Sequence, residues 1–116
     1  MSKIKISDYI TLNQAVTPDE GAKIYDMIVS YILKGDTPVE LDFSDIDIMT
    51  TAFLNVAVGS LYKDYTSEEL NQFLQLQGLS ESHMIRVKQV TNNAKAFYAD
   101  KEDFDKNVED ALYGKN

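Results

Sequence analysis

The chain has no cysteine and no tryptophan, one histidine, two prolines and five glycines in 116 residues. Without cysteine there is neither a disulfide nor a thiolate metal site, and one imidazole alone does not build a structural zinc centre. Basic residues are also scarce: 11 Lys and Arg against 19 Asp and Glu, a formal net charge of −8. Phosphate backbones are gripped by clustered Lys and Arg, so these few, scattered cations argue against nucleic-acid binding. No apolar run approaches the 18 or so residues of a membrane span. The amino terminus lacks the charged-then-apolar order of an export signal. No membrane association is expected, and the chain reads as cytoplasmic.

What is present is an ordinary globular composition, 44% hydrophobic and 26% charged. The length fits one domain spanning 1–116 with one core. Lys3-Ile-Lys-Ile6 alternates polar and apolar, the period of a half-buried strand. Ser7 to Val16 has no clear period and reads as a loop or a short second strand. Thr17-Pro18 opens a helix, with Asp19 and Glu20 at its positive end and Gly35 at its close. Ile24, Ile28, Tyr31 and Ile32 make its apolar stripe.

Val39-Glu-Leu-Asp-Phe43 alternates again. The parity of apolar positions then changes across Ser44-Asp45, which predicts a kink before Ile46-Asp-Ile48. Thr50 or Thr51 caps a helix expected to run to about Tyr65, and Thr66-Ser-Glu-Glu caps a further short turn. Gln72 to Leu79 holds a third alternating strand. Ser80 caps a helix to about Tyr98, with Met84, Val87, Val90, Ala94 and Phe97 expected on its inner side. It continues or restarts at Asp100, with Phe104, Val108, Ala111 and Leu112 as a last stripe and the acidic side chains of 100–110 outward.

Strand and helix alternate along the chain, which predicts an α/β fold with largely parallel strands. Strands covered on both faces are apolar throughout, whereas these alternate. The helices are therefore expected on one face only, leaving Glu40, Asp42, Gln75 and Gln77 on a wet face.

The stretch Leu41-Asp-Phe-Ser-Asp-Ile-Asp-Ile-Met-Thr-Thr-Ala-Phe-Leu54 resembles the signature of STAS domains, the domains of sulfate transporters and anti-sigma factor antagonists. That signature is a Leu-Asp-Leu-Ser strand, a short extended piece, then Asp-Ser-Ser-Gly-Leu opening a helix. The chain is more similar still to a bacterial STAS-like family of unassigned function, whose equivalent reads Thr-Ser-Ser-Phe. The order of elements matches from about Lys3 to Leu112, while the specific likeness sits in residues 38–62. The resemblance implies a mixed, mainly parallel sheet of four to five strands with helices on one face. It also implies a regulatory, signalling role through protein–protein contact, with a kinase-like ATPase or an anti-sigma-type regulator as partner. In anti-sigma factor antagonists a serine at this helix start is phosphorylated. Here Thr50 falls on the signature aspartate, Thr51 on its first serine, Ala52 on the phosphorylated serine and Phe53 on the glycine. Ala52 has no hydroxyl, so the standard switch cannot operate there; Thr51 and Thr50 are the remaining candidate acceptors.

The helix Ala52 to Tyr62 is apolar nearly all round. Leu54, Val58, Leu61 and Tyr65 form one stripe, while Phe53, Val56 and Ala57 lie outside it. Such a helix is either central in a core or covered by something else. Two outcomes are open: neighbouring helices cover Phe53 and Val56, or these residues belong to a docking patch. The candidate partner interface is Asp47, Met49, Thr50, Thr51, Phe53 and Val56, and it would serve a protein partner or a homodimer.

The second reading is a small-ligand or anion-binding domain, or a weak enzyme, using Asp42, Asp45 and Asp47 with the Thr50-Thr51 helix start. It requires a concave site with convergent carboxylates of perturbed pKa. A calcium loop is not among the options. Counted from Asp42, the sixth position is Asp47 instead of glycine and the twelfth is Phe53 instead of glutamate. Asp103-Phe-Asp105 fails the same test at Val108. His83 stands without a nucleophile or an orienting acid in a triad pattern, no serine sits in a Gly-x-Ser-x-Gly elbow, and no glycine-rich phosphate loop exists. No catalytic residue, metal or cofactor is expected, and the chain reads as a non-enzyme.

Overall fold

A computed structural model describes the backbone of residues 1–113 and the side chains of residues 1–98. The chain runs β1 (Ser2–Lys5), β2 (Gln14–Ala15), α1 (Pro18–Lys34), β3 (Val39–Asp42), β4 (Ile48–Met49), α2 (Thr51–Ala57), α3 (Ser67–Phe73), β5 (Leu74–Gln77) and α4 (Glu81–Tyr113). Single 3-10 turns occupy Ile6–Tyr9 and Gly59–Lys63. The fold is α/β with parallel ladders, as expected. β1, β3 and β5 form a three-stranded sheet in that order, and β2 pairs with β4.

Alternation makes the two faces of this sheet chemically different. Ile4 and Leu41 stand side by side in register on the inner face, fully buried, with Val39 one row away. Lys3, Glu40 and Gln75 form one row of the outer face; Lys5, Asp42 and Gln77 form the next. Burying a large aliphatic side chain stabilises by about 1.5–3 kcal/mol, so the inner rows anchor the sheet to the helices. The outer rows are solvated and carry the ion pairs Lys3–Asp42 at 3.8 Å and Lys5–Asp45 at 3.1 Å.

The five strands split into two ladders for a backbone reason. Leu12 and Asn13 have φ of 54° and 57°, and Asp45 has φ of 62°. Leu12 and Asn13 follow the 3-10 turn Ile6–Tyr9 between β1 and β2, and Asp45 lies between β3 and β4, so both strand pairs are interrupted. Pairing then resumes through Asp47 N–H to the Asn13 carbonyl at 2.9 Å. The kink expected at Ser44-Asp45 is this left-handed residue, and the loop before Val16 carries the short strand β2.

The helix caps follow the sequence. Thr17 accepts from Glu20 N–H, Pro18 takes the first helical position and Gly35 closes α1 in the left-handed region. Thr66 and Glu69 form a reciprocal capping box on α3. Ser80 Oγ accepts from His83 N–H at the start of α4.

Two expected helices differ from their reading. The helix expected to reach Tyr65 ends at Ala57, because Val58 leaves helical geometry at φ −120° and a 3-10 turn begins at Gly59. A Cβ on Gly59 would stand 3.6 Å from Val90 and 3.7 Å from Ala94, so α4 rests directly on this turn. Among its described side chains, α4 fully buries two valines. Val87 and Val90 are core, whereas Met84 and Phe97 are 45% and 64% exposed instead of inward. The helix runs through Asp100 without a break. The stripe of Phe104, Val108, Ala111 and Leu112, and the outward acids of 100–110, lie outside the described side chains. Among the described residues, no helix is long and apolar enough to cross a membrane.

α1 and α2 approach each other at Gly21. A Cβ there would lie 2.6 Å from the Phe53 carbonyl oxygen and 3.2 Å from Val56 Cβ. Alanine is normally the better helix former by about 1 kcal/mol. Here contact with backbone dominates, so Gly21→Ala is expected to destabilise the fold by about 1–3 kcal/mol in equilibrium urea unfolding. A gain in stability would show that the two helices are not in close contact.

Candidate functional site: the strand-to-helix corner

Thr50 builds the corner between β4 and α2. Its N–H donates to the Ala15 carbonyl at 3.0 Å, which extends the β2–β4 ladder by one residue. Its hydroxyl donates to the Val16 carbonyl at 2.7 Å and accepts from Phe53 N–H at 3.2 Å. The same oxygen thus caps α2 and ties it to the chain leading into α1. Beyond this cap, Phe53, Leu54 and Ala57 are fully buried.

The six interface candidates therefore separate. Asp47 and Thr51 are exposed, Thr50 and Val56 are half-buried, and Met49 and Phe53 are core, 4% and 0% exposed. Met49 and Phe53 are corrected: α2 is a central helix, covered by α1, the 3-10 turn and α4, so these side chains offer no area to a partner. Replacing Phe53 with alanine would open a cavity costing about 3–5 kcal/mol and would test folding, not docking. Residues missed by the sequence reading take their place. Ile48 is 50% exposed, and Ala52 and Asn55 face solvent. The signal was available for Ile48: strict alternation around buried Met49 sends its neighbour outward.

The two threonines also differ as phosphate acceptors. Thr50 has its hydroxyl engaged twice, and a phosphate there would break both bonds. Thr51 is open.

The three aspartates are spread over different surroundings. Asp42 Oδ1 accepts from Ser44 N–H at 2.9 Å and from Ser44 Oγ–H at 2.7 Å. Asp45 pairs with Lys5, whose ammonium is held above its ordinary pKa first by that hydrogen bond and then by the carboxylate charge. Asp47 stands apart, at the rim of a cavity of about 230 Å³ that also takes in Ile48, Met49, Ser82, His83 and Arg86. Among the described residues, no three His, Asp or Glu side chains gather as a metal-ligand cluster. Of the oxygens named in the ligand-binding reading, those of Asp42 and Thr50 are engaged by the protein's own groups and Asp45 is paired with Lys5, while Asp47 and Thr51 face solvent.

A model of the family described as STAS-like domain of unknown function matches residues 20–84, from the first turn of α1 to the first turn of α4. The chain belongs to this STAS-like family. No curated protein and no solved structure matches it. The matched span of this STAS-like domain contains β4 and α2 with Thr50, together with β3, β5 and the Gly21 crossing, while Ala15 and Val16, which Thr50 bonds, precede it.

A larger cavity of about 330 Å³ lies near the opposite end of the 3-10 turn, between Tyr62, Tyr65, Lys95 and Tyr98. Burial raises the Tyr62 phenol above its ordinary pKa, and Lys95 Nζ stands 6.0 Å from that ring. Nothing in the sequence pattern groups these residues, because they come from separate elements and meet only through the packing of α4.

Asp42 gives this STAS-like domain a pH signature. The Ser44 hydroxyl and then its backbone N–H hold the Asp42 carboxyl below its ordinary 3.8. A depressed folded pKa contributes stability that is complete above the unfolded value and is lost as pH falls through the folded one. Acid unfolding curves followed below pH 4 should therefore become shallower in Asp42→Asn, which keeps an acceptor for Ser44 but does not titrate. Identical pH dependence in the two proteins would contradict the role given to the Ser44 contacts.

Proposed function

We propose that the protein is a non-enzymatic, regulatory docking module that binds a protein partner through the outer rim of the β4–α2 corner. Asp47, Ile48, Thr51 and Ala52 form this rim, with Val56 at its flank. The observation that carries the reading is the exposure of Ile48 beside the solvent-facing Thr51, on an element whose opposite side is locked into the core. An apolar centre edged by polar groups on a rigid support is the anatomy of a protein contact. The acidic chain and Asp47 favour a partner with a basic rim, which speeds and orients encounter more than it adds affinity.

The position of the corner within a STAS-like domain supports a kinase-like ATPase or an anti-sigma-type regulator as the partner class, by analogy of fold. Thr51 is the accessible acceptor for a kinase, and Ala52 leaves the usual serine position silent. A phosphate on Thr51 would set a bulky, strongly hydrated group beside the apolar Ile48, and this steric and desolvation cost is expected to outweigh its attraction to a basic rim and to release the partner.

The test is comparative capture from a lysate of the source cells, using wild type, Ile48→Glu, Thr51→Glu and Leu33→Glu as baits. Leu33 is 77% exposed on α1 and serves as the remote control. Recovery of the same protein should fall at least tenfold with the two corner variants and stay unchanged with Leu33→Glu. Equal recovery by all four folded baits would exclude this surface.

A further inference from the structure

The cavity of about 330 Å³ beside the 3-10 turn is assembled from stretches that the chain keeps far apart. Tyr62, Lys63, Asp64 and Tyr65 come from the turn and its exit, whereas Lys95 and Tyr98 come from α4. The start of α3 adds Thr66 and Ser67. Tyr62, Tyr65 and Tyr98 are half-buried, so their rings supply the enclosed wall, while Lys63 and Lys95 are exposed. The volume lies at the lower end of the range of small-molecule sites. Its charge runs against that of the whole chain. Acids outnumber Lys and Arg by 19 to 11 in the sequence, yet two ammonium groups face one carboxylate here.

The polar groups of this cavity are mainly hydrogen-bond donors. Among the described residues, no ion pair holds Lys63 or Lys95. Lys95 instead carries its ammonium over the Tyr62 ring, 6.0 Å from the centroid. The Thr66 hydroxyl accepts from Glu69 N–H, which leaves its O–H to donate, and the Glu69 carboxylate is itself spent on Thr66 N–H. Within the described residues, no side-chain hydrogen bond engages the Ser67 hydroxyl or the three phenols. Burial holds the Tyr62 phenol above its ordinary pKa, so it keeps its proton at neutral pH. The one carboxylate, Asp64, acts on a neighbour outside the cavity: burial and then the Asp64 charge raise the Tyr25 phenol of α1.

We propose that this cavity binds a small planar aromatic anion of the aryl phosphate type, with its ring among Tyr62, Tyr65 and Tyr98 and its phosphate met by Lys63 and Lys95. The balance of donors selects this ligand. Tyrosine faces also attract organic cations. A cation here would meet two ammonium groups for one carboxylate, and would have to displace Lys95 from Tyr62. A bare inorganic anion would leave the ring walls unused. A phosphate offers more acceptor oxygens than a carboxylate, so it can engage both lysines together with the Thr66 and Ser67 hydroxyls. The site shares no residue with the β4–α2 corner, so it stands or falls apart from the docking reading.

Tyrosine-ring NMR of the full chain, titrated with phenyl phosphate, reads the site directly. Saturable binding is expected with a dissociation constant of about 1 mM or tighter. The resonances of Tyr62, Tyr65 and Tyr98 should shift while those of Tyr9 stay still. Inorganic phosphate and phenol, the two halves of the probe, should each bind at least about tenfold more weakly. Benzyltrimethylammonium, which carries the opposite charge, should not compete. Lys63→Gln and Lys95→Gln, both at exposed positions, should each weaken binding by about fivefold or more. Lys88→Gln, exposed on α4 outside the cavity, should leave it unchanged. No saturation below about 10 mM would overturn the proposal. So would inorganic phosphate or benzyltrimethylammonium binding as tightly as phenyl phosphate, unchanged affinity in both cavity variants, or an equal loss in Lys88→Gln.

Discussion

The hydroxyl of Thr50 is the constraint on which the middle of this molecule depends. One oxygen joins the Val16 carbonyl to the Phe53 N–H, so the approach to α1 and the start of α2 are fixed relative to each other. With α2 anchored there, Phe53, Leu54 and Ala57 enter the core and the Phe53 carbonyl comes to rest against Gly21. The residues left outside are a consequence of the same geometry. Met49 turns inward, Ile48 turns outward, and Thr51 begins the helix on its solvent side.

That division of labour separates two neighbouring hydroxyls that the sequence presents as equals. Thr50 is structural because both of its hydrogen-bonding capacities are used by backbone groups. Thr51 is exposed, so any function of the pair that requires access falls to it. The aspartates follow a similar logic. Asp42 and Asp45 are satisfied by Ser44, Lys3 and Lys5 on the wet face, while Asp47 lies at the rim of a separate cavity. A cluster that looks catalytic in one dimension is dispersed by a single left-handed residue at Asp45.

Much of this architecture was legible in the chain, since its signals are local. Period-two alternation marked β1, β3 and β5, and the Thr17, Thr50, Thr66 and Ser80 caps marked every helix start. The family likeness in residues 38–62 pointed to the matched family. What escaped depends on non-local packing. The pairing of the two-residue strands β2 and β4 leaves no local trace, and positive φ at Leu12 and Asn13 is not advertised by glycine. The break at Val58 arises where α4 presses on Gly59, and the same contact decides that Phe97 stays outside. Burial of Met49 and Phe53 required knowing that α2 is covered from several sides. The tyrosine-lined cavity likewise emerges only when separate elements are assembled.

The decisive measurement is equilibrium unfolding of Thr50→Val beside Thr51→Val. Loss of the cap and of the donor to Val16 should cost Thr50→Val about 1–2 kcal/mol, while Thr51→Val should stay within about 0.5 kcal/mol of wild type. Equal losses, or a larger loss at Thr51, would contradict the corner as described.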